Sequence, residues 1–327
     1  LAPRLTVVGL VLGIAGLGGA AALGAAKGDG FAEFGWSYLL NFAYFLSFSL
    51  GALFFVAVGH VTRATWNVVS RRLGEIVAAY VLVMAILAIP MLLLAGRIFP
   101  WANGHSHAPA ELLAHKEPFL NRPFFYLRWV FYFVVWCAFA VWFWRQSVLQ
   151  DSSGDKQHTM RMERWSGLAL LLFAITVNFA SYDLLMALDP TWFSTMFGPY
   201  YFAAGVVGFF ALLTVVTFFL QGQGRLATAI HLEHLHDYGK LMFAFVFFWA
   251  YLAFSQYMLI WYANIPEETA WYLRRQENGW QWLALGLLFG HFLLPFAGLI
   301  SRFAKRNRTL LGLWALWIFV MHWLDLY

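Results

Sequence analysis

Charge is what this sequence has least of. Only 11% of its 327 residues are Asp, Glu, Lys or Arg, where soluble globular domains carry about 25%. A chain this poor in charge, 62% hydrophobic and with a mean hydropathy of +0.67, has the bilayer as its solvent. Cysteine is nearly absent. Cys137 stands alone, which excludes an internal disulfide and any thiolate zinc or iron–sulfur site. The apolar runs lack period-two alternation and most are too long for strands, which excludes a β-barrel. No phosphate loop, dinucleotide fingerprint or nucleophile triad is present. No connection is long enough for a soluble domain. The pI near 9.3 does not indicate nucleic acid, because the basic residues lie between apolar runs, where they act as topology signals.

A spanning helix needs about 20 mostly apolar residues, and nine runs qualify: 5–26, 36–59, 76–98, 123–145, 164–188, 195–220, 240–263, 280–301 and 309–327. The expectation is an all-α integral membrane protein. The first run is too long for a signal-peptide core and lacks a convincing cleavage site. Lys and Arg divide unevenly. The ends that include Arg63, Arg71, Arg72, Arg145 and Arg302 hold fourteen, and the ends with Arg97, Lys116, Arg122 and Arg128 hold seven. The positive-inside rule then places the N-terminus in the cytoplasm. Many of the 17 Trp fall at run ends, as in an interfacial belt.

The third run opens on "RRLGEIVAAY" and the seventh on "HDYGKLMFAF", each with glycine followed by a charge: Gly74-Glu75 and Gly239-Lys240. Asp183 near the end of the fifth run is matched by Asp325 near the end of the ninth. Two four-helix units explain this: runs 2–5 over residues 36–190 and runs 6–9 over 191–327, with 1–35 as a flanking helix and loop.

A charge at mid-bilayer costs at least ~2.5–3.5 kcal/mol, so polar residues inside these runs need internal partners or a task. On the seventh run Asp237, Lys240, Tyr251, Ser255 and Tyr262 fall within one arc at 100° per residue, a stripe that must face protein or water. Tyr257 and Gln256 lie nearby, and "NIPEET" follows, with Pro266 expected to end the helix and Glu267 and Glu268 in the headgroup zone. His60 closes the second run and Glu75 opens the third. His291, followed by Pro295, lies mid-way along the eighth. Asn178, Tyr182, Asp183 and Asp189 belong to the fifth run. His322 and Asp325 are three apart on the ninth and share a face. Carboxylates, imidazoles and hydroxyls can form a proton route once burial shifts their pKa values. They also serve as interhelical glue. "HLEHLH" (His231, His234, His236) and "GHSH" (His105, His107) lack the second half of a zinc site. His60, His291 and His322 lie at different depths and do not supply two axial pairs for a b-type haem. These residues alone do not separate a transporter from a respiratory subunit.

Four motifs narrow the choice: "LHDYGKLMFAFVFFWAYLAFSQYMLIWYANIPEET" (235–269), "SYDLLMALDPTWFSTMFGPYYFAAG" (181–205), "LGALFFVAVGHVTRATWNVVSRRLGE" (50–75) and "HFLLPF" (291–296). Together they resemble the F-subunit family of alternative complex III, NrfD-like membrane subunits of a quinol:cytochrome c oxidoreductase. The resemblance runs from about residue 36 to the end. It implies two four-helix bundles with flanking helices, ten in the full chain, and a place in a bacterial inner membrane. It implies partners: an NrfD-like C subunit, an iron–sulfur subunit, c-type cytochrome subunits, lipids and a terminal oxidase. Haem and iron–sulfur reside in those partners. The chain itself holds no covalent or metal cofactor, with menaquinol or lipid as its expected small ligands. The family's proton-pathway residues map onto His60, Glu75, Asp183, Asp189, Asp237, Lys240, Ser255, Tyr257, His291, His322 and Asp325. Two other roles stay open: a quinol-binding subunit, or a scaffold that conducts no protons.

Overall fold

The computed structural model describes residues 2–104 and 108–327, so the "GHSH" histidines, His105 and His107, lie outside the described residues. Among the described residues nine helical spans are long and apolar enough to cross a membrane, and their order is that of the hydropathy runs. They comprise α1 (Ala2–Lys27), α2 (Ala32–Val61), α3 with α4 (Val68–Ala79, Val81–Leu93), α5 (Arg122–Ser153), α6 (Gln157–Leu184) and α7 (Phe197–Gly222). After α8 (Leu232–Ala263) comes a short α9 (Pro266–Arg274). The eighth span is α10 (Trp280–Gly286), a π-helical segment (Leu287–Leu293) and α11 (Leu294–Ile300). A short α12 (Arg302–Arg306) leads into α13 (Arg308–Leu326). The protein is an all-α membrane protein. In hydrocarbon every backbone N–H and C=O needs an internal partner, which is why apolar runs of this length become helices.

Local chemistry sets the boundaries. Asn121 caps α5, its Oδ1 accepting from Phe124 N at 2.9 Å, with proline in the first turn. Asn307 does the same for α13, accepting from Leu310 N at 3.1 Å. The helix ending at Ala263 is closed by Asn264 in the left-handed region, φ 51°, a conformation asparagine tolerates. Pro266 does not end α8. It starts α9, where its missing N–H costs nothing and Glu267 and Glu268 complement the helix dipole.

α2, α3–α4, α5 and α6 pack as one four-helix unit, and α7, α8, α10–α11 and α13 as another. The units join where α2 crosses α7. A side chain at Gly51 would place its Cβ 2.6 Å from the Gly205 carbonyl oxygen, so this crossing exists only because the residue is glycine. α1 packs against α2 alone among the larger helix contacts. The core between the ends is hydrocarbon and aromatic, with Leu50, Phe55, Phe209 and Val206 fully buried along the α2–α7 seam. The α2–α3 and α11–α13 connections, with Arg63, Arg71, Arg72, Arg302, Lys305 and Arg306, mark the basic end of the molecule.

Candidate functional site

The sequence grouped twelve polar residues as one conduit. The structure divides them into separate clusters with apolar packing between.

At the basic end of the first unit, Glu75 on α3 has its carboxylate 3.5 Å from Arg71 Nε and 3.3 Å from Arg72 Nη1, both on its own helix. His60 is buried and stacks on the Phe143 ring with centroids 5.6 Å apart; its Nε2 has no hydrogen-bond partner among the described residues.

At the opposite end of the same unit Asp183 is fully buried on α6. Arg128 of α5 donates to both oxygens, Nε to Oδ2 at 2.8 Å and Nη2 to Oδ1 at 2.6 Å, and the Tyr132 hydroxyl donates to Oδ2 at 2.9 Å. The guanidinium also donates to the Phe119 carbonyl and lies 3.9 Å from the centre of the Phe119 ring. This corrects the topology count: Arg128 is not a loop charge but the counter-ion of Asp183.

The second unit carries a cluster of different character. Asp325 on α13 is partly buried. The Tyr200 hydroxyl of α7 donates to Oδ1, and Trp249 Nε1 of α8 donates to Oδ2 at 3.0 Å. Both donors are neutral, and no cation pairs with this carboxylate among the described residues. The Trp249 indole stacks on the His291 ring, centroids 4.1 Å apart. His291 is fully buried and neither ring nitrogen has a partner among the described residues. One turn back on α13, His322 Nε2 lies 2.8 Å from Ser47 Oγ of α2. The Ser47 hydroxyl proton goes to the Tyr44 carbonyl at 2.7 Å, so His322 Nε2 is the donor in this pair. A side chain at Gly208 would meet His322 Cδ2 at 2.8 Å; only glycine lets the ring sit against α7.

His291 owes its place to an irregular backbone. Leu294 N–H reaches back five residues to Phe289 C=O, the π register. The next donor in that register would be Pro295, which has no N–H. The Gly290 carbonyl thus freed accepts from Trp317 Nε1 at 2.7 Å. Such π turns are frequent at functional sites.

Asp189 is not a member of the helical core. α6 ends at Leu184, and Asp189 follows a single 3-10 turn. It pairs with Arg274 Nη2 of α9 at 2.5 Å and accepts from the Thr191 hydroxyl at 2.5 Å and amide at 3.1 Å. Burial would raise its pKa, but Thr191 and Arg274 outweigh that and hold the carboxyl below the ordinary aspartate value. The same corner has Trp192 stacked on Trp271 with centroids 4.3 Å apart. Gln256 accepts from the Ser194 hydroxyl at 2.9 Å and donates to the Tyr272 hydroxyl at 3.2 Å. Burial pushes Tyr272 up to about 12.

The stripe on α8 is also corrected. Its inward face is Leu235, Tyr238, Gly239, Met242, Val246, Trp249, Leu252, Gln256 and Ile260. Tyr251 is 55% exposed and Tyr262 84% exposed, Lys240 is exposed beside Asp237 (Nζ–Oδ1 2.6 Å), and Ser255 is half-buried. Tyr257 lies outside the core against Tyr272, centroids 5.1 Å apart. The row points away from its own bundle because aromatic and glycine packing, not polarity, fills the seams between these helices. Arg128, Tyr132, Tyr200, Trp249, Trp317 and Ser47 escaped the sequence reading. Only the demand that Asp183, Asp325, His322 and the carbonyl freed by Pro295 find partners could have pointed to them, and it does not say on which helix.

No group of three or more metal-ligating side chains occurs among the described residues. A scan against protein-family models finds no match to the chain, and a search of curated proteins finds none either.

Proposed function

We propose that the chain is a proton-conducting membrane subunit of a quinol-oxidising respiratory assembly of the alternative complex III type, without redox chemistry of its own. It sits in a bacterial inner membrane with its N-terminus in the cytoplasm. The lysine and arginine bias favours that orientation, and removing Arg128 from the count leaves fourteen against six. Quinol, haem and iron–sulfur chemistry belong to partner subunits in this reading.

The observation that carries it is the environment of Asp325. A relay carboxyl must take up and release a proton without leaving a charge stranded. Asp183 fails that test, because protonating it would strand Arg128 in a buried site. Asp325 meets only the neutral donors Tyr200 and Trp249: the two hydrogen bonds serve its ionised form, and protonation leaves no buried cation behind. His291, stacked on the same Trp249, and His322, one turn back on α13, each keep a nitrogen unpartnered among the described residues and offer further acceptors.

The test is proton release per quinol oxidised by the reconstituted assembly. Asp325→Asn lowers that yield while the complex still forms, and Asp183→Asn acts on assembly instead. Unchanged yield and rate in an assembled Asp325→Asn complex would sink the reading.

One observation favours the quinol-binding alternative. A half-open groove of about 310 Å³ runs along α2, α6 and α7, lined by Phe54, Leu170, Phe173, Ala174, Val177 and Phe202. It suits a chain of isoprenoid type, but its lining offers nothing to hold a quinone headgroup.

A further inference from the structure

The basic end of the second unit holds a cluster that the proton reading leaves unused. α7 stops at Gly222, α8 starts at Leu232, α11 stops at Ile300 and α13 starts at Arg308, so this is the level where the helices leave the hydrocarbon. The short α12 lies between α8 and α13. Lys240, Arg302, Lys305, Arg306 and Arg308 collect here with the carboxylates Glu233 and Asp237. Arg306 Nη1 takes Glu233 at 2.6 Å, and Lys240 takes Asp237.

Lys305 is left with no carboxylate among the described residues. It is 8% exposed. Its ammonium donates only to the Ile300 carbonyl at 3.4 Å and lies 5.1 Å from the Phe243 ring centre. A side chain at Gly239 would meet Lys305 Cγ at 2.8 Å, so α8 is notched to admit the lysine stem. Burial, and then the neighbouring Lys240 ammonium, hold Lys305 below the ordinary lysine value. Arg308, exposed, places its guanidinium over the Phe218 ring and also has no carboxylate among the described residues. Beside these cations the same short segment presents hydrocarbon outward: Phe303 is 70% and Ile300 57% exposed.

We propose that this corner binds an anionic phospholipid, with Lys305 and Arg308 holding the phosphate and Phe303 and Ile300 against its acyl chains. Two cations three residues apart in the chain, neither with a carboxylate among the described residues, call for an anion from outside, and basic pockets between membrane helices take anionic headgroups. A free phosphate ion would satisfy the charge but leave Phe303 and Ile300 uncovered, and an acidic protein segment would leave the same apolar rim bare. The rim at headgroup level commits the site to lipid.

Native mass spectrometry of the full chain in detergent tests this, with dioleoylphosphatidylglycerol and dioleoylphosphatidylcholine as probes. The phosphatidylglycerol is expected to bind in preference, and Arg308→Gln and Lys305→Gln each to reduce its occupancy about fivefold, the effect of removing one cation from an anionic surface. Arg308 is exposed, so its variant stays informative if Lys305→Gln does not fold. Equal binding of the two lipids, or unchanged phosphatidylglycerol binding in Arg308→Gln, overturns the proposal. Displacement of the lipid by an equal concentration of inorganic phosphate overturns it in favour of a free ion. Loss of a protein subunit from the Arg308→Gln assembly, with lipid binding unaltered, overturns it in favour of an acidic partner.

Discussion

Arg128 and Asp183 meet as a two-pronged ion pair between α5 and α6, with N–O distances of 2.8 and 2.6 Å. Tyr132 supplies a third donor, and Phe119 and Phe124 cover the guanidinium. Removing one partner of a buried pair leaves an uncompensated charge and costs about 3–5 kcal/mol. Arg128→Met and Asp183→Leu should therefore each lower thermal stability in detergent steeply. The double variant should recover most of that loss, since an apolar pair of similar volume is often neutral. A double variant as unstable as the worse single would show that the pair is not the source of the effect.

The Trp317 indole and the Gly290 carbonyl form the bond that makes the π turn tolerable. Trp317→Phe keeps the ring but removes the donor. An unsatisfied buried carbonyl costs about 1–3 kcal/mol, and that loss is expected in unfolding of the purified protein. Pro295→Ala restores an N–H to the turn and should make the Trp317→Phe change nearly harmless. Equal cost of Trp317→Phe in both backgrounds would refute this account of the π segment.

Asp189 and Arg274 tie α9 to the end of α6, and their contribution depends on acidity. The folded carboxyl titrates below its unfolded value, held down by Thr191 and Arg274 against burial. Its stabilisation is therefore complete above the ordinary aspartate pKa of about 3.9 and fades only as pH falls through the lower folded value. Proteolysis within 264–279 should be unchanged from pH 8 to 5 and should rise in stronger acid. Arg274→Gln should accelerate it already at pH 7, by a modest factor, because Arg274 is largely exposed and such pairs are worth about 0.2–1 kcal/mol.

Gly51 lies against Gly205 with no room for a methyl group. Gly51→Val must push α2 from α7 and so part the two units. A cost of about 1–3 kcal/mol or more is expected from overpacking, read as a lower melting temperature and reduced yield of folded protein. Gly167, with nothing within 4 Å of its Cβ direction, is the control: Gly167→Val should be tolerated.

The spans were legible because hydrocarbon imposes a length and leaves the backbone no choice but helix. Asp183, His291, His322 and Asp325 were legible by cost, since each sits where an unpaired polar group is expensive. Their partners were not. Arg128 sits six residues into α5, near enough to the helix start to read as an interfacial charge, and nothing in its spacing says that α6 brings a carboxylate opposite. Trp249 and Tyr200 carried no mark in the sequence, because ring type does not reveal which way a helix is turned. The α8 row misled for the same reason. In water the polar face of a helix looks outward. In a bilayer that inference is unsafe in either direction, and here Gly239, Met242 and Val246 form the contact side. Pro295 was visible as a break, but the π register it creates at His291 depends on Trp317, from the next span.

The outward row on α8 has a practical corollary. Tyr251, Ser255 and Tyr262 give the molecule a flank that greasy tails wet poorly, while its tight aromatic seams are already closed. Stripped from its native surroundings into micelles, such a chain retains its shape but gains a sticky side. Poor monodispersity on extraction would then reflect that flank rather than any weakness of the helical core.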